Sequence, residues 1–111
     1  MLDYGEKEEK EFVRLLVAHQ SLIQSFVVSL IPGSSETEDV LQSTNEVLWA
    51  KRKQFELGTN FKGWALTTAR LQVMSLQRRL KREKRVYFDD EACEAIFQEA
   101  LQQDEGETRA A

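Results

Sequence analysis

A chain of 111 residues with 41% hydrophobic side chains suits one small domain with a modest core. Its formal net charge is −4, and its one cysteine, Cys93, excludes an internal disulfide and fits a reducing compartment. No apolar run approaches the ~20 residues of a membrane span, and the opening MLDYGEKEEKEF lacks the basic and apolar regions of a secretory signal, so a cytoplasmic protein is expected.

The first predicted helix runs from about Glu6 to Ile31. Phe12, Leu15, Leu16, His19, Leu22, Ile23, Phe26, Val27 and Leu30 recur at three- and four-residue steps. Pro32-Gly33 ends it, because proline cannot continue the backbone hydrogen-bond ladder. His19 falls within the apolar stripe. It is the only histidine and has no second ligand near it in sequence, so it reads as structural rather than catalytic.

Ser35 is the expected N-cap of the second helix, with Glu38 three residues on to complete a capping box. Glu36, Glu38 and Asp39 crowd its first turn and Lys51, Arg52 and Lys53 its last, as the helix dipole favours. Val40, Thr44, Val47 and Leu48 form one stripe. Gln42, Asn45, Trp49 and Arg52 fall on another face, which suits a partner unless Trp49 belongs to the core.

A loop, Glu56-Leu57-Gly58-Thr59-Asn60, leads to a third predicted helix from Phe61 to about Arg85. At ~100° per residue, Phe61, Ala65, Ala69, Val73, Leu76 and Leu80 share a core sector. Arg70, Arg78, Lys81, Arg82 and Arg85 lie opposite, with Trp64, Leu71 and Met74 within or beside them. Charge follows the same division. Residues 1–50 hold nine acids and three bases, 51–85 eleven bases and two acids, and 86–111 eight acids and one base. A basic block between acidic flanks suggests a polyanion site confined to one segment, although charge alone does not separate it from a solvated face. The interleaved aromatic tips the balance. Cations neutralise phosphates with release of counterions, and an aromatic stacks on an unpaired base. DNA with exposed bases fits better than plain duplex, if Trp64 faces outward.

In the acidic tail, Asp89-Asp90-Glu91 opens a short helix with Ala92, Ile96, Ala100 and Leu101 roughly on one face, and the composition beyond Gln103 is that of a loose end. No Cys/His cluster has metal-ligand spacing, the five glycines are scattered, and the lone histidine and cysteine sit on unrelated segments. Neither an enzyme nor a cofactor is expected.

The stretch Glu38-Asp39-Val40-Leu41-Gln42, continuing to Val47-Leu48-Trp49, resembles the "AEDLVQE…LW" segment of extracytoplasmic-function sigma factors. Phe61-Lys62-Gly63-Trp64-Ala65 through Ala69-Arg70 is similar to their "F..WL..IAR" segment, and Leu80-Lys81-Arg82 falls in the basic run that follows. FVRLLVAHQSLIQSFVVSLI resembles their first conserved helix in pattern, and the whole resemblance covers about residues 8–86. Two positions depart from the family: Leu71 stands where Asn is frequent, and Ser75 where Asp is frequent.

The resemblance implies an all-α, compact three-helix region 2 domain over residues 1–86, with residues 87–111 as the start of a linker to a second domain, region 4. It implies that Asp39, Gln42, Asn45 and Trp49 bind core RNA polymerase, on the clamp helices of its largest subunit. Glu56, Gly58, Thr59, Asn60, Lys62, Trp64, Arg70, Arg78, Lys81 and Arg82 would meet the non-template strand of the minus-ten promoter element. One base would be flipped into a pocket made partly by the loop, at a stacking cost of a few kcal/mol. An anti-sigma factor is a further candidate partner. Two other readings use fewer of these features: a helical DNA-binding regulator without a polymerase partner, and an interaction adaptor whose basic face is incidental.

Overall fold

A computed structural model describes residues 4–83 and 90–103. The described residues form five α-helices, α1 (Glu6–Ala18), α2 (Gln20–Leu30), α3 (Thr37–Ala50), α4 (Phe61–Arg82) and α5 (Asp90–Gln102), with a 3-10 turn at Arg52–Gln54 and no strand. The all-helical expectation agrees with this architecture. The count of three main helices does not, because the first predicted helix is two; the helix expected in the tail is present and runs over thirteen residues.

The division falls at His19. Its backbone N–H and its ring Nδ1 both donate to the Leu15 carbonyl, at 3.1 and 2.7 Å, and Gln20 Nε2 donates to the Leu16 carbonyl at 3.1 Å. Side chains that take carbonyls of the preceding turn compete with the helical ladder and bend it. The axes of α1 and α2 consequently differ by 46°. His19 remains 8% exposed with its ring 4.8 Å from Phe61, in keeping with a structural role. The bend sends α1 toward the end of α3 while α2 packs against α3, α4 and α5.

The start and end of α3 also differ from expectation. Glu36, not Ser35, precedes the first helical residue, and no side chain caps the helix. The Ser34 hydroxyl accepts from the Glu36 amide at 3.0 Å, and Thr37 Oγ1 donates to the Ser34 carbonyl at 3.1 Å. This local turn stands where the sequence predicts the Ser35–Glu38 capping box, a short polar side chain having taken a nearby backbone amide instead. At the other end α3 stops at Ala50, so Lys51 is the C-cap and Arg52 and Lys53 lie in the 3-10 turn.

The sector assigned to the core of α4 is buried throughout, with Leu66 added to Phe61, Ala65, Ala69, Val73, Leu76 and Leu80. Phe12 is fully buried at the centre of an aromatic cluster, 5.7 Å from Phe61, 5.9 Å from Trp64, 6.2 Å from Trp49 and 6.4 Å from Phe55 between ring centroids. Such edge-on and tilted pairs add to the burial of each ring. The other end of the core gathers Phe26, Val27, Leu30, Ile31 and the later α4 residues, with Phe97 of α5 lying 6.0 Å from Phe26. No single helix among the described residues is long and apolar enough to cross a membrane. Arg85, Asp89 and the expected loose end over 104–111 lie outside the described residues.

Candidate polymerase face and nucleic-acid interface

Burial of Val40, Thr44 and Leu48 turns the opposite side of α3 outward. There Leu16 of α1 joins Glu38, Leu41, Gln42, Asn45, Glu46 and Trp49 around a shallow groove of about 650 Å³. Its apolar members are Leu16, Leu41 and Trp49, and Glu38 and Glu46 give it acidic edges. Trp49 is 39% exposed although one side touches the aromatic cluster. Arg52 holds it in place. The guanidinium lies 4.1 Å from the Trp49 ring centroid, donates to the Trp49 carbonyl at 3.0 Å, and pairs with Glu9 of α1 at 3.1 Å. The cation over the ring face is an attractive arrangement in its own right.

The four residues expected on this face are not equivalent. Gln42 and Trp49 line the groove. Asn45 lines it too, but its amide exchanges two hydrogen bonds of 2.9 Å with Gln20, tying α2 to α3. Asp39 is exposed beside a separate recess of about 220 Å³ between α3 and α4, which Glu36, Ser43, Gln72, Ser75, Arg79 and Arg82 also line. Arg79 closes one side of that recess by pairing with Glu36 at 3.1 Å. Leu16 and Leu41 were not singled out as site residues by sequence reasoning. Leu16 lies in the apolar stripe of its own helix, and nothing local says that α1 passes α3 there.

The loop before α4 is set by its own polar groups. Gly58 has φ of 89°, a conformation that side chains rarely adopt. Thr59 donates through its hydroxyl to the Glu56 carbonyl at 2.5 Å and through its amide at 3.2 Å. Asn60 is the N-cap of α4, its Oδ1 accepting from the Gly63 amide at 2.9 Å. A Cβ at Gly63 would sit 2.7 Å from Asn60 Nδ2, so a larger residue there would push the capping side chain aside. Glu56, Gly58, Thr59 and Asn60 all remain exposed.

Apart from Arg79, which pairs with Glu36, the cations of α4 fall into two groups. Arg78, Lys81 and Arg82 are exposed and make no ion pair among the described residues. Toward the start of the helix the cations are engaged. Lys62 donates to the Gln103 carbonyl, and Arg70 pairs with Glu94 at 2.9 Å with its side chain only 18% exposed. Trp64 is half-buried, stacked in a tilted geometry 5.0 Å from Phe55 and close to Phe12 and Phe61. Leu71 and Met74 are exposed at 55% and 37%, so the outward face of α4 does mix apolar groups with cations. Among the described residues no group of three or more His, Cys, Asp or Glu is arranged to hold a metal ion.

In comparison with known proteins, the chain matches the Sigma-70 region 2 family over residues 15–83. No curated protein and no solved structure matches. The matched segment begins in α1, includes all of α2 and α3, the α3–α4 loop and the whole of α4, and ends on its C-cap. It takes in well over half of the chain, which therefore belongs to the sigma-70 region 2 family.

Proposed function

We propose that this chain is the promoter-recognition domain of an alternative sigma factor of the extracytoplasmic-function type. Sigma region 2 domains serve promoter recognition, with RNA polymerase and promoter DNA as their general partners. In the finer reading, the outward face of α3 docks on the clamp helices of the largest polymerase subunit. The α3–α4 loop and the outward face of α4 meet the non-template strand of the minus-ten element. The domain has no catalytic part in this reading.

One observation supports it above the others: a small helical domain carries two unlike open surfaces. The groove on α3 is apolar with acidic edges and an exposed Trp49. Half-exposed aromatics held by an arginine are common anchors of protein interfaces. The outer side of α4 is cationic at Arg78, Lys81 and Arg82 and apolar at Leu71 and Met74, which suits phosphates beside exposed bases. A regulator without a polymerase partner has no use for the first surface, and an adaptor has no use for the second.

Co-purification with core RNA polymerase is the experiment that separates these readings. The chain is expected to be retained by core enzyme, and Asp39→Lys to lower retention without loss of helical content. A chain that never associates with core enzyme, at low or moderate salt, overturns the polymerase reading.

A further inference from the structure

Resting on the single-strand reading of α4, we propose that α5 is an internal mimic of the nucleic-acid strand. It occupies a phosphate site formed by Lys62 and Arg70, and it has to leave before the first half of α4 can bind DNA.

The contacts fix the direction of α5. Its start lies by Gln77, which donates to Cys93 Sγ at 3.4 Å. Its middle lies by Arg70, and its end reaches Lys62. The two helices are therefore antiparallel, and Lys62 and Arg70 lie ~12 Å apart along α4, at 1.5 Å per residue. What α5 presents to them has the chemistry of a strand. The Glu94 carboxylate sits 2.9 Å from the Arg70 guanidinium, as a phosphate oxygen would. The Phe97 ring lies 5.2 Å from the same guanidinium, where a base plane would stack. The Gln103 carbonyl, just past the negative end of the α5 dipole, accepts from Lys62 Nζ. An acid, an aromatic plane and a carbonyl oxygen thus fill the positions that phosphate, base and phosphate would take.

The hold is also slight enough to be broken. Among α5 residues only Cys93 is buried, and Ile96, Phe97, Ala100 and Leu101 are partly so. By contrast α4 buries seven residues. Meanwhile Arg78, Lys81 and Arg82 stay open for a first encounter. Displacement of a weakly packed helix by a strand arriving there exchanges like contacts: a phosphate replaces the Glu94 carboxylate on Arg70 and the Gln103 carbonyl on Lys62.

Phe97→Asp and Ala95→Asp in the full chain separate occlusion from simple charge. Both add one negative charge to α5. Phe97 is packed against Phe26 and Arg70, whereas Ala95 is exposed. Binding of a single-stranded minus-ten oligonucleotide is measured by titration at several salt concentrations. If α5 is docked about nine-tenths of the time, its release raises apparent affinity about tenfold. The salt slope should also steepen by about 0.7, because Arg70 no longer gives up the Glu94 carboxylate when it takes a phosphate. We expect both changes for Phe97→Asp, against its added charge, and slightly weaker binding for Ala95→Asp. Equal weakening by the two variants overturns the proposal. A readout on the unaltered chain does not depend on either variant folding: amide exchange of α5 should quicken when the oligonucleotide is bound. Exchange that is unchanged or slower in the complex overturns the proposal while leaving the DNA reading in place. If neither the unaltered chain nor Phe97→Asp binds the oligonucleotide, the DNA reading and this inference both fall.

Discussion

Arg70 and Arg78 lie two turns apart on α4, in a sector opposite the core, yet they have different surroundings. Arg70 is enclosed by Glu94, Phe97 and the Cys93 carbonyl, and Arg78 is exposed and in no ion pair among the described residues. The same contrast separates the two halves of the helix. The first half is anchored from both sides, by the aromatic cluster around Phe12 and by α5. The second half has a buried inner side and, beyond the Gln77–Cys93 and Arg79–Glu36 contacts, an exposed outer one among the described residues. Periodicity assigns a side chain to a face, but whether that face is open depends on what else packs there.

The contrast is broken most severely at its anchor. Phe12→Ala removes the ring shared by Trp49, Phe55, Phe61 and Trp64, and a cost of about 3–5 kcal/mol is expected on chemical denaturation. A cost under about 1 kcal/mol would mean that the aromatic cluster does not hold the first half of α4.

A smaller effect is expected at Asn60. Asn60→Ala removes the cap on Gly63 and should cost about 1 kcal/mol. Asn60→Asp keeps an acceptor there and should leave the melting temperature nearly unchanged. If the loop also reads a base, Asn60→Asp will alter preference among minus-ten oligonucleotides even so, and an unaltered preference limits Asn60 to capping.

The two arginines themselves provide the third test. In the unaltered chain Arg78→Ala should lower the salt slope of oligonucleotide binding by about 0.7, the loss of one phosphate contact. Arg70→Ala should lower it less, because Glu94 already occupies that cation. Equal losses at both positions would erase the distinction between the halves.

The least effect is expected from acid. The Gln98 amide, and after it the Arg70 guanidinium, hold the Glu94 carboxyl below its ordinary value. Gln98 is on α5 itself, so only the Arg70 part of this lowering depends on docking, and that part stabilises docking above the carboxyl's undocked pKa. That contribution is lost as pH falls through the lowered value. Amide exchange in α5 should therefore quicken modestly between about pH 6 and about pH 3, and Glu94→Gln should remove part of that dependence.

Much of this molecule is legible in its residue pattern. The 3.6-residue period of α4 marks its core sector correctly, because burying one side of a helix requires apolar residues at that spacing. Gln42, Asn45 and Trp49 do share one side of α3, while Arg52 lies in the turn beyond its end and stacks on Trp49. Residues whose hydrogen bonds have competing local partners were less legible. Ser34 rather than Ser35 supplies the turn before α3, and His19 and Gln20 bend a stripe that reads as unbroken. Each depends on which of several nearby carbonyls or amides a short polar side chain reaches, and periodicity carries no information about that.

By itself the sequence determined the helical class, the inward side of each long helix, the loop position before α4 and the confinement of positive charge to one segment. These follow from spacing and residue type within a single stretch of chain. Only the tertiary structure decided that Leu16 borders the α3 groove, that Asp39 belongs to a different recess from Trp49, and that α5 covers Lys62 and Arg70 while leaving Arg78 open. Those are meetings between residues far apart in the chain. They depend on the angle at which α1 leaves α2 and on the antiparallel seating of α5, neither of which any one segment encodes.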